Sequence, residues 1–308
     1  MIKTAERPRK RMIGRRNQLL FYCLILSVPT VQFLIFYLAV NINSILLAFK
    51  QYNPDGSYSF VWFENFGKVF SDLVHVQYLK TAFCNSLLLG FFTIVVGMTL
   101  ALMFSYYIYK ASPMSGLFKV VLFLPQIVSS LVMVIMFKYF SEDMLPNFMQ
   151  KFFGIEMKGL ISNPATQFPT ILIYSLWMGF GPQVLMYSGA MSGISESVVE
   201  AGKLDGISPL REFFSITVPM IWPTLVSFIV VNLAQVFVNQ MQLFAFFGTE
   251  AEYKLYTLGY YLYAAIKRTT TQLSDYPYLA AFGLVLTLLT IPVTLLVRKL
   301  LERAYRSE

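Results

Sequence analysis

The chain has 308 residues, 56% hydrophobic and 13% charged, with a formal charge of +8 and a single histidine, His75. Soluble domains carry roughly 25% charged residues, so a soluble globular fold is excluded, and one histidine leaves no material for a histidine-based metal cluster. The surplus of bases reads as attraction to anionic lipid headgroups and requires no nucleic acid.

A crossing of the hydrocarbon core takes about 20 residues at 1.5 Å each. Six uncharged runs reach or approach that length: 17–49, 82–109, 120–137, 159–195, 213–249 and 276–297. The fourth and fifth exceed one crossing, and their apolar centres lie at 168–190 and 220–247. Closed helices satisfy their own backbone groups in lipid, whereas a barrel would show ten-residue alternating strands, and none is visible. The sequence therefore predicts an all-α polytopic membrane protein with six transmembrane helices.

Taken in order, residues 1–16 form a basic N-terminal stretch with seven Lys and Arg. The run 17–49 is too long for a signal-peptide core and no small-residue cleavage site follows it promptly, so it is expected to remain as a first transmembrane segment. An extracytoplasmic loop over 50–78 follows, then a core over 79–300 with the other five spans, and a short C-terminus over 301–308. With six crossings, 15 of the 24 bases lie on the side of the termini and nine in the outer loops 50–80, 138–167 and 248–277. That asymmetry places both termini in the cytoplasm. Cys23 and Cys84 fall in apolar runs and read as filler thiols. The last outer loop contains YTLGYYLYAAIKR, whose tyrosines and terminal bases suit a short helix lying at the outer interface. Such a helix serves either as an anchor or as a docking surface for an extracytoplasmic partner.

Between the fourth and fifth runs lies a polar segment, 191–219, holding EAGKLDGISPLREFFSITVP. Ser197 with Glu200 three residues on forms a capping-box pattern and is expected to start a short helix. Asp205-Gly206 stops it, because glycine tolerates the left-handed conformation that ends helices. Ser208 then caps a second helix with Pro209 at its first position. Leu210, Phe213, Phe214 and Thr217 follow helical spacing and are expected to face the membrane-embedded core. Pro219 and Pro223 mark the start of the fifth span. The small residues Ala201 and Gly202 let another surface approach the backbone closely, so the segment reads as a knob built for a socket on a partner.

The pattern Glu200-Ala201-Gly202, Asp205-Gly206, then Ile216, Val218 and Pro219, resembles the signature loop of the permeases of ABC importers. The LDG core and the spacing of Pro219 and Pro223 are most similar to carbohydrate permeases of the maltose and glycerol-phosphate type. The resemblance covers residues from about Leu79 to the C-terminus. Gly202 departs from it, since the family usually has alanine there.

The resemblance implies the type I importer permease fold in a bacterial cytoplasmic membrane. It also implies a second, related permease chain, a cytosolic ATPase dimer that binds ATP and Mg, and an extracytoplasmic solute-binding protein. In that family the loop is the coupling helix docking into the ATPase. Glu200, Ala201, Gly202, Asp205, Gly206 and Pro219 are the residues so implied here. The chain has no GxxxxGK(S/T) loop, so it is expected to hydrolyse no ATP itself and to bind no cofactor.

Sugars are recognised through hydroxyls and aromatic faces. In the fifth run Asn232, Gln235, Asn239 and Gln242 stand at i, i+3, i+7 and i+10, which on one helix gathers four amides on a face; interhelical hydrogen bonding is the other use of such residues. Gln240 points elsewhere. In the fourth run Trp177, Gln183 and Tyr187 are further candidates for the solute path, and GFGP at 179–182 is expected to kink that helix and free carbonyls toward a cavity. Gln126, Ser129 and Ser130 of the third run add to the list. A sugar or oligosaccharide is the expected solute. The alternatives are another solute such as glycerol phosphate, for which the spans show almost no buried base, or a secondary transporter, for which intramembrane acids and histidines are missing.

Overall fold

The computed structural model describes residues 15–268 and 273–306; the basic stretch 1–14 lies outside the described residues. Helix α1 (Asn17–Leu47) is apolar over 31 residues and lies almost wholly on the outside of the fold, packing its last two turns against the final helix. A hairpin follows at once: β1 (Lys50–Tyr52) pairs antiparallel with β2 (Tyr58–Phe60), Gln51 opposite Ser59. Its turn, Asn53-Pro54-Asp55-Gly56-Ser57, is made of turn formers. The Asp55 carboxylate accepts from the Ser57 hydroxyl (2.7 Å) and N–H (3.0 Å), bonds that hold it below the usual carboxylate range. The amphipathic α2 (Glu64–His75) leads into α3 (Gln77–Tyr109), 33 residues long.

The third run departs from expectation. It forms two helices, α4 (Ser115–Ile127) and α5 (Ser130–Phe153), meeting at 107°. Val128 and Ser129 take extended ψ values of 143° and 132°, and Pro125 has already removed a donor from the last turn of α4. Helix α6 (Gln167–Ser192) runs unbroken for 26 residues.

Helices α7 (Glu196–Leu204) and α8 (Pro209–Met220) make up the polar segment. α8 meets α9 (Trp222–Gln235) at 73° about Ile221, because Pro223 cannot donate back to Pro219. Helix α9 ends at Gln235, in the middle of the fifth run. The chain turns through 236–242, with Met241 and Gln242 at φ +52° and +57°, and resumes as α10 (Leu243–Phe247).

Tertiary contacts impose that turn. The Thr257 hydroxyl donates to the Asn239 carbonyl (2.9 Å), and Asn239 Oδ1 accepts from the Met241 N–H (2.9 Å). Gly259 lies so close to the turn that a Cβ there would collide with the Val238 carbonyl.

Helix α11 (Leu258–Arg268) is the tyrosine-rich helix read from the last outer loop. It is packed inward instead of lying free at an interface: Leu258, Gly259, Tyr260 and Ala264 are buried against α3 and α12 (Tyr276–Arg306). Asn85 on α3 donates to the Lys254 and Tyr256 carbonyls, both at 2.9 Å, and the Ser86 hydroxyl accepts from the Leu258 N–H.

Helices α1, α3 and α12 are long and apolar enough to cross a membrane, and each bent pair, α4–α5 and α8–α9, passes the same test as one broken span. α6 is long enough but less apolar, holding Gln167, Ser175, Gln183 and Ser188, and it is wrapped by α3 and α4. Two buried clusters stack along α6. Ile171, Tyr174, Met178, Leu243, Phe246 and Phe282 belong to the one at the hairpin end, and Met98, Ala101, Val184, Tyr187, Met191 and Leu225 to the one at the polar-segment end.

Candidate functional site

Helix α7 begins slightly earlier than its capping-box pattern suggests. Ser195 is the N-cap, Ser197 sits in the first turn with its hydroxyl 2.8 Å from that of Ser195, and no side chain caps the helix. Its C-terminus follows the sequence reading closely. Gly206 adopts φ +67°, the Ile207 N–H reaches back to the Gly202 carbonyl (3.2 Å) and the Gly206 N–H to that of Lys203 (3.0 Å). This is the Schellman arrangement, which usually brings the residue after the glycine onto the last turn.

Here that contact explains the departure at position 202. A Cβ on Gly202 would meet Ile207 Cδ1 at 2.8 Å and Ile216 Cδ1 at 3.0 Å. The glycine seats two isoleucines under the helix and welds α7 to α8. Ser208 accepts from the Arg211 N–H (3.4 Å) with Pro209 first in the helix.

The outer face of α7 is left free. Glu200, Ala201 and Asp205 are exposed, and Leu204 is 89% exposed at the tip. Of the four residues expected to face inward from α8, Phe213 and Thr217 are buried, while Leu210 and Phe214 are exposed. The helix rotates that pair outward because Glu212, not Leu210, is drawn inward. Glu212 is buried and ion-paired to Lys110, just past the end of α3. Tyr106, one turn earlier, donates to the Pro209 carbonyl (3.0 Å) and packs on Phe213 with ring centroids 5.0 Å apart. Pro219 is half-buried at the bend into α9.

A second site lies at mid-height of α6, between the α4–α5 break and the turn that follows α9. A cavity of about 390 Å³ is lined by Pro125, Gln126, Val128 and Ser130 from the α4–α5 break, by Ser175, Met178 and Gly179 from α6, and by Asn239 and Gln242 from the turn after α9. None of these is charged. The expected freed carbonyl is present: Pro182 has no N–H to give Met178, and the Gln126 side-chain amide donates to that carbonyl instead. Gly181 brings α4 against α6, since a Cβ there would meet the Leu122 carbonyl at 2.8 Å. Ser175 Oγ, buried on the cavity wall, makes no hydrogen bond among the described residues.

The four amides do not share a helix face. Asn239 and Gln242 lie in the turn and reach the cavity, whereas Asn232 is half-buried on α9 and Gln235 exposed at its end, and neither lines it. Gln240 does point elsewhere, into an apolar groove beside α12. Tyr187 is fully buried against Phe228 (centroids 4.9 Å) and Trp177 packs on Tyr174 (6.0 Å), so both are packing residues here. Gln183 is half-buried away from the cavity. Sequence reading missed Ser175, a lone serine in an apolar run. It also missed Lys138, whose ammonium donates to the Phe246 carbonyl and so holds α10 beside the cavity.

A bundle of broken and unbroken apolar helices, a polar mid-depth cavity and a protruding interhelical knob define an integral membrane component of a transport system. Residues 93–307 match the family described as "Binding-protein-dependent transport system inner membrane component", and the chain belongs to it. It is similar to the sn-glycerol-3-phosphate transport system permease protein UgpA of Pectobacterium atrosepticum, with 26% identity over 94% of this chain and 96% of that one. It is also similar to the arabinooligosaccharides transport system permease protein AraP of Bacillus subtilis, with 24% identity over 87% and 84%. With other relatives the match spans only 50% or 49% of their length. Among solved structures, a chain of a bacterial ABC transporter that imports the acidic polysaccharide alginate shares the fold, with a TM-score of 0.72 and 20% identity over 94% of this chain and 96% of that one.

Proposed function

We propose that this chain is one of two permease subunits of an ATP-driven importer that takes a neutral sugar or oligosaccharide from an extracytoplasmic binding protein. Each chain in this reading has six crossings, α6 being the sixth, with both termini and the α7–α8 knob in the cytoplasm. The 15-to-9 distribution of bases supports that orientation. The first crossing occupies 17–49 and the family core 79–300.

The observation that carries the reading is the knob itself. An exposed leucine at the tip of a short helix, flanked by Glu200 and Asp205 and braced from beneath by Gly202, Ile207 and Ile216, is a rigid apolar tooth with no partner among the described residues. Its fixed geometry, more than its exposure alone, is what suits it to a partner's socket in this reading. In this reading Leu204 and Ala201 enter a groove of a cytosolic ATPase subunit. ATP-driven closure is then passed through α8 and the Lys110–Glu212 pair to α9 and α3.

Solute selection falls to the cavity at the helix breaks. Gln126, Ser130, Ser175, Asn239 and Gln242 offer amides and hydroxyls and no charge, the groups that match sugar hydroxyls. Burial of a substrate hydroxyl there gives Ser175 the partner it lacks. In this reading Asn232, Gln235, Trp177, Gln183 and Tyr187 do not touch the solute, and Trp177 and Tyr187 serve in packing.

The similarity to UgpA favours a second reading, a glycerol phosphate solute. An anionic ester wants a cation facing it, and among the described residues no lysine or arginine lines the cavity. Purification of the complex in mild detergent, identification of its partner chains and a ligand screen on the binding protein separate the two. A neutral saccharide supports the first reading, and a phosphate ester replaces it with the second.

A further inference from the structure

The hairpin and α2 carry an apolar edge that the transport reading does not use. On α2 the apolar residues cover a wide arc. Phe66, Val69 and Leu73 turn to the core, while Phe63, just before the helix, Phe70 and Val74 stand at i, i+7 and i+11 on the adjoining flank and are exposed. Phe60, at the end of β2, and Trp62 extend the same edge, with ring centroids 6.4 Å apart. Trp62 is 70% exposed and is held at φ +52°, a backbone region that side chains with a Cβ avoid. A bulky aromatic residue kept both strained and in the open signals a surface the fold maintains for contact.

The position of this edge is fixed. Asn65 Nδ2 donates to the Ala48 and Lys50 carbonyls at 2.9 and 2.8 Å, and the Val61 N–H to the Phe49 carbonyl at 2.9 Å, so α2 is stapled to the last turn of α1. Tyr278, at the start of α12, donates to Asp72 (2.8 Å) from the other side. The edge therefore sits at the shared end of two membrane-crossing helices. At 1.5 Å per residue the 31 residues of α1 reach about 46 Å, longer than a hydrocarbon core of about 30 Å, so the end that carries the hairpin has length to spare beyond the core.

One base borders the patch: Lys50 lies 5.4 Å from the Phe60 ring centroid, whereas Lys68 turns away from it to the Tyr278 ring (5.3 Å). Aromatic rings beside a lysine, continuous with a helix exposed along most of its length, make up the chemistry of a membrane interface.

We propose that Phe60, Trp62, Phe63, Phe70 and Val74 form an interfacial lipid-binding edge. Through it the hairpin and α2 rest on the headgroup–acyl boundary of the leaflet at this end of the bundle. The edge anchors the outer end of α1 and α12 and sets the depth at which the opposite, knob-bearing end projects.

The test uses the full chain, first alone and then with its partners, carrying Trp177→Phe and Trp222→Phe so that Trp62 is its only indole. The protein is placed in phosphatidylcholine–phosphatidylglycerol vesicles in which bromines are carried near either the headgroup end or the methyl end of the acyl chains. Shallow bromines are expected to quench Trp62 by about half or more and deep bromines much less, as for an interfacial ring. A nitroxide on Val74→Cys, with Cys23→Ser and Cys84→Ser, gives a second readout, in which collisions with oxygen are expected to exceed those with a soluble nickel chelate. Emission indifferent to both lipids, or a nitroxide that favours the nickel chelate, overturns the proposal. Shielding of Trp62 that appears only when the second permease or the binding protein is added also overturns it, and assigns the edge to that protein.

Discussion

Gln126 donates its side-chain amide to the carbonyl of Met178, the one that Pro182, lacking an N–H, leaves open four residues on. The two irregularities on neighbouring helices complete each other and fix one wall of the polar cavity. Gln126→Leu should cost about 1–2 kcal/mol, because it strands a buried carbonyl. Pro182→Ala should relieve that loss, since the alanine supplies the missing N–H from within α6. The double variant is expected to unfold in detergent at a temperature above that of Gln126→Leu alone, with a coupling of about 1 kcal/mol. Strictly additive melting temperatures would show that the two residues act independently.

The turn after α9 divides the amides by position: Asn239 and Gln242 line the cavity, and Asn232 and Gln235 do not. Asn239→Leu and Gln242→Ala should abolish or strongly reduce uptake while assembly with the ATPase survives. Gln235→Leu, at the exposed end of α9, should transport like the wild type. Uptake assays on the three variants, normalised to the amount of assembled complex, check this. Loss of uptake in Gln235→Leu alone would move the solute path from the turn to the α9 face.

How far this division was legible can be stated residue by residue. Gly206, Ser208 and Pro209 announce their conformations because each is selected by its own backbone geometry, and the structure places all three as read. The amides at 232, 235, 239 and 242 misled for the opposite reason. The stretch from Val236 to Gln242 contains no glycine or proline, and its break rests on Thr257 and Gly259, some twenty residues on in sequence, together with a turn that the Asn239 side chain makes with the Met241 N–H. The hairpin at 50–60 lay hidden inside what reads only as an outer loop. NPDGS between Tyr52 and Tyr58 is a turn signal, but strands of three residues are too short to show alternation. Of the cavity, Gln126 and Ser130 were visible as polar residues in an apolar run. Ser175 was not, because a single hydroxyl in a helix is satisfied as easily by its own backbone.

Lys110 and Glu212 join the end of α3 to the segment that carries the knob. Removing either charge should cost about 3 kcal/mol, the low end for a buried pair, because Lys110 keeps a 24% exposed side chain. Lys110→Glu and Glu212→Lys should each give complexes that bind solute-loaded binding protein yet hydrolyse ATP without transport. Combining the two should restore part of the uptake. A double variant no better than either single one would reduce the pair to a local packing contact.

The orientation is tested by thiol accessibility on intact cells. In a Cys23→Ser/Cys84→Ser background, Asp55→Cys and Glu250→Cys are expected to react with an impermeant maleimide and Arg9→Cys to react only after lysis. Reaction at Arg9→Cys in intact cells would invert the topology and with it the side on which the knob projects.

In the proposed transport cycle α7, locked by Gly206, delivers ATP-driven force to the membrane helices. Among the described residues other than its two chain neighbours, no atom lies within 4 Å of the position a Cβ would take at Gly206, so a side chain there meets chiefly the backbone restriction at φ +67°. Asparagine tolerates that region and valine resists it by about 1–2 kcal/mol, too little to unfold the bundle but enough to tilt Leu204 out of register. The measurement is solute uptake and ATP hydrolysis, with and without loaded binding protein, in proteoliposomes of the complex carrying Gly206→Asn or Gly206→Val. The account predicts near-normal coupling for Gly206→Asn, and for Gly206→Val a normally inserted complex with lost uptake and ATPase activity indifferent to the binding protein. Wild-type uptake with wild-type stimulated hydrolysis in Gly206→Val would contradict it.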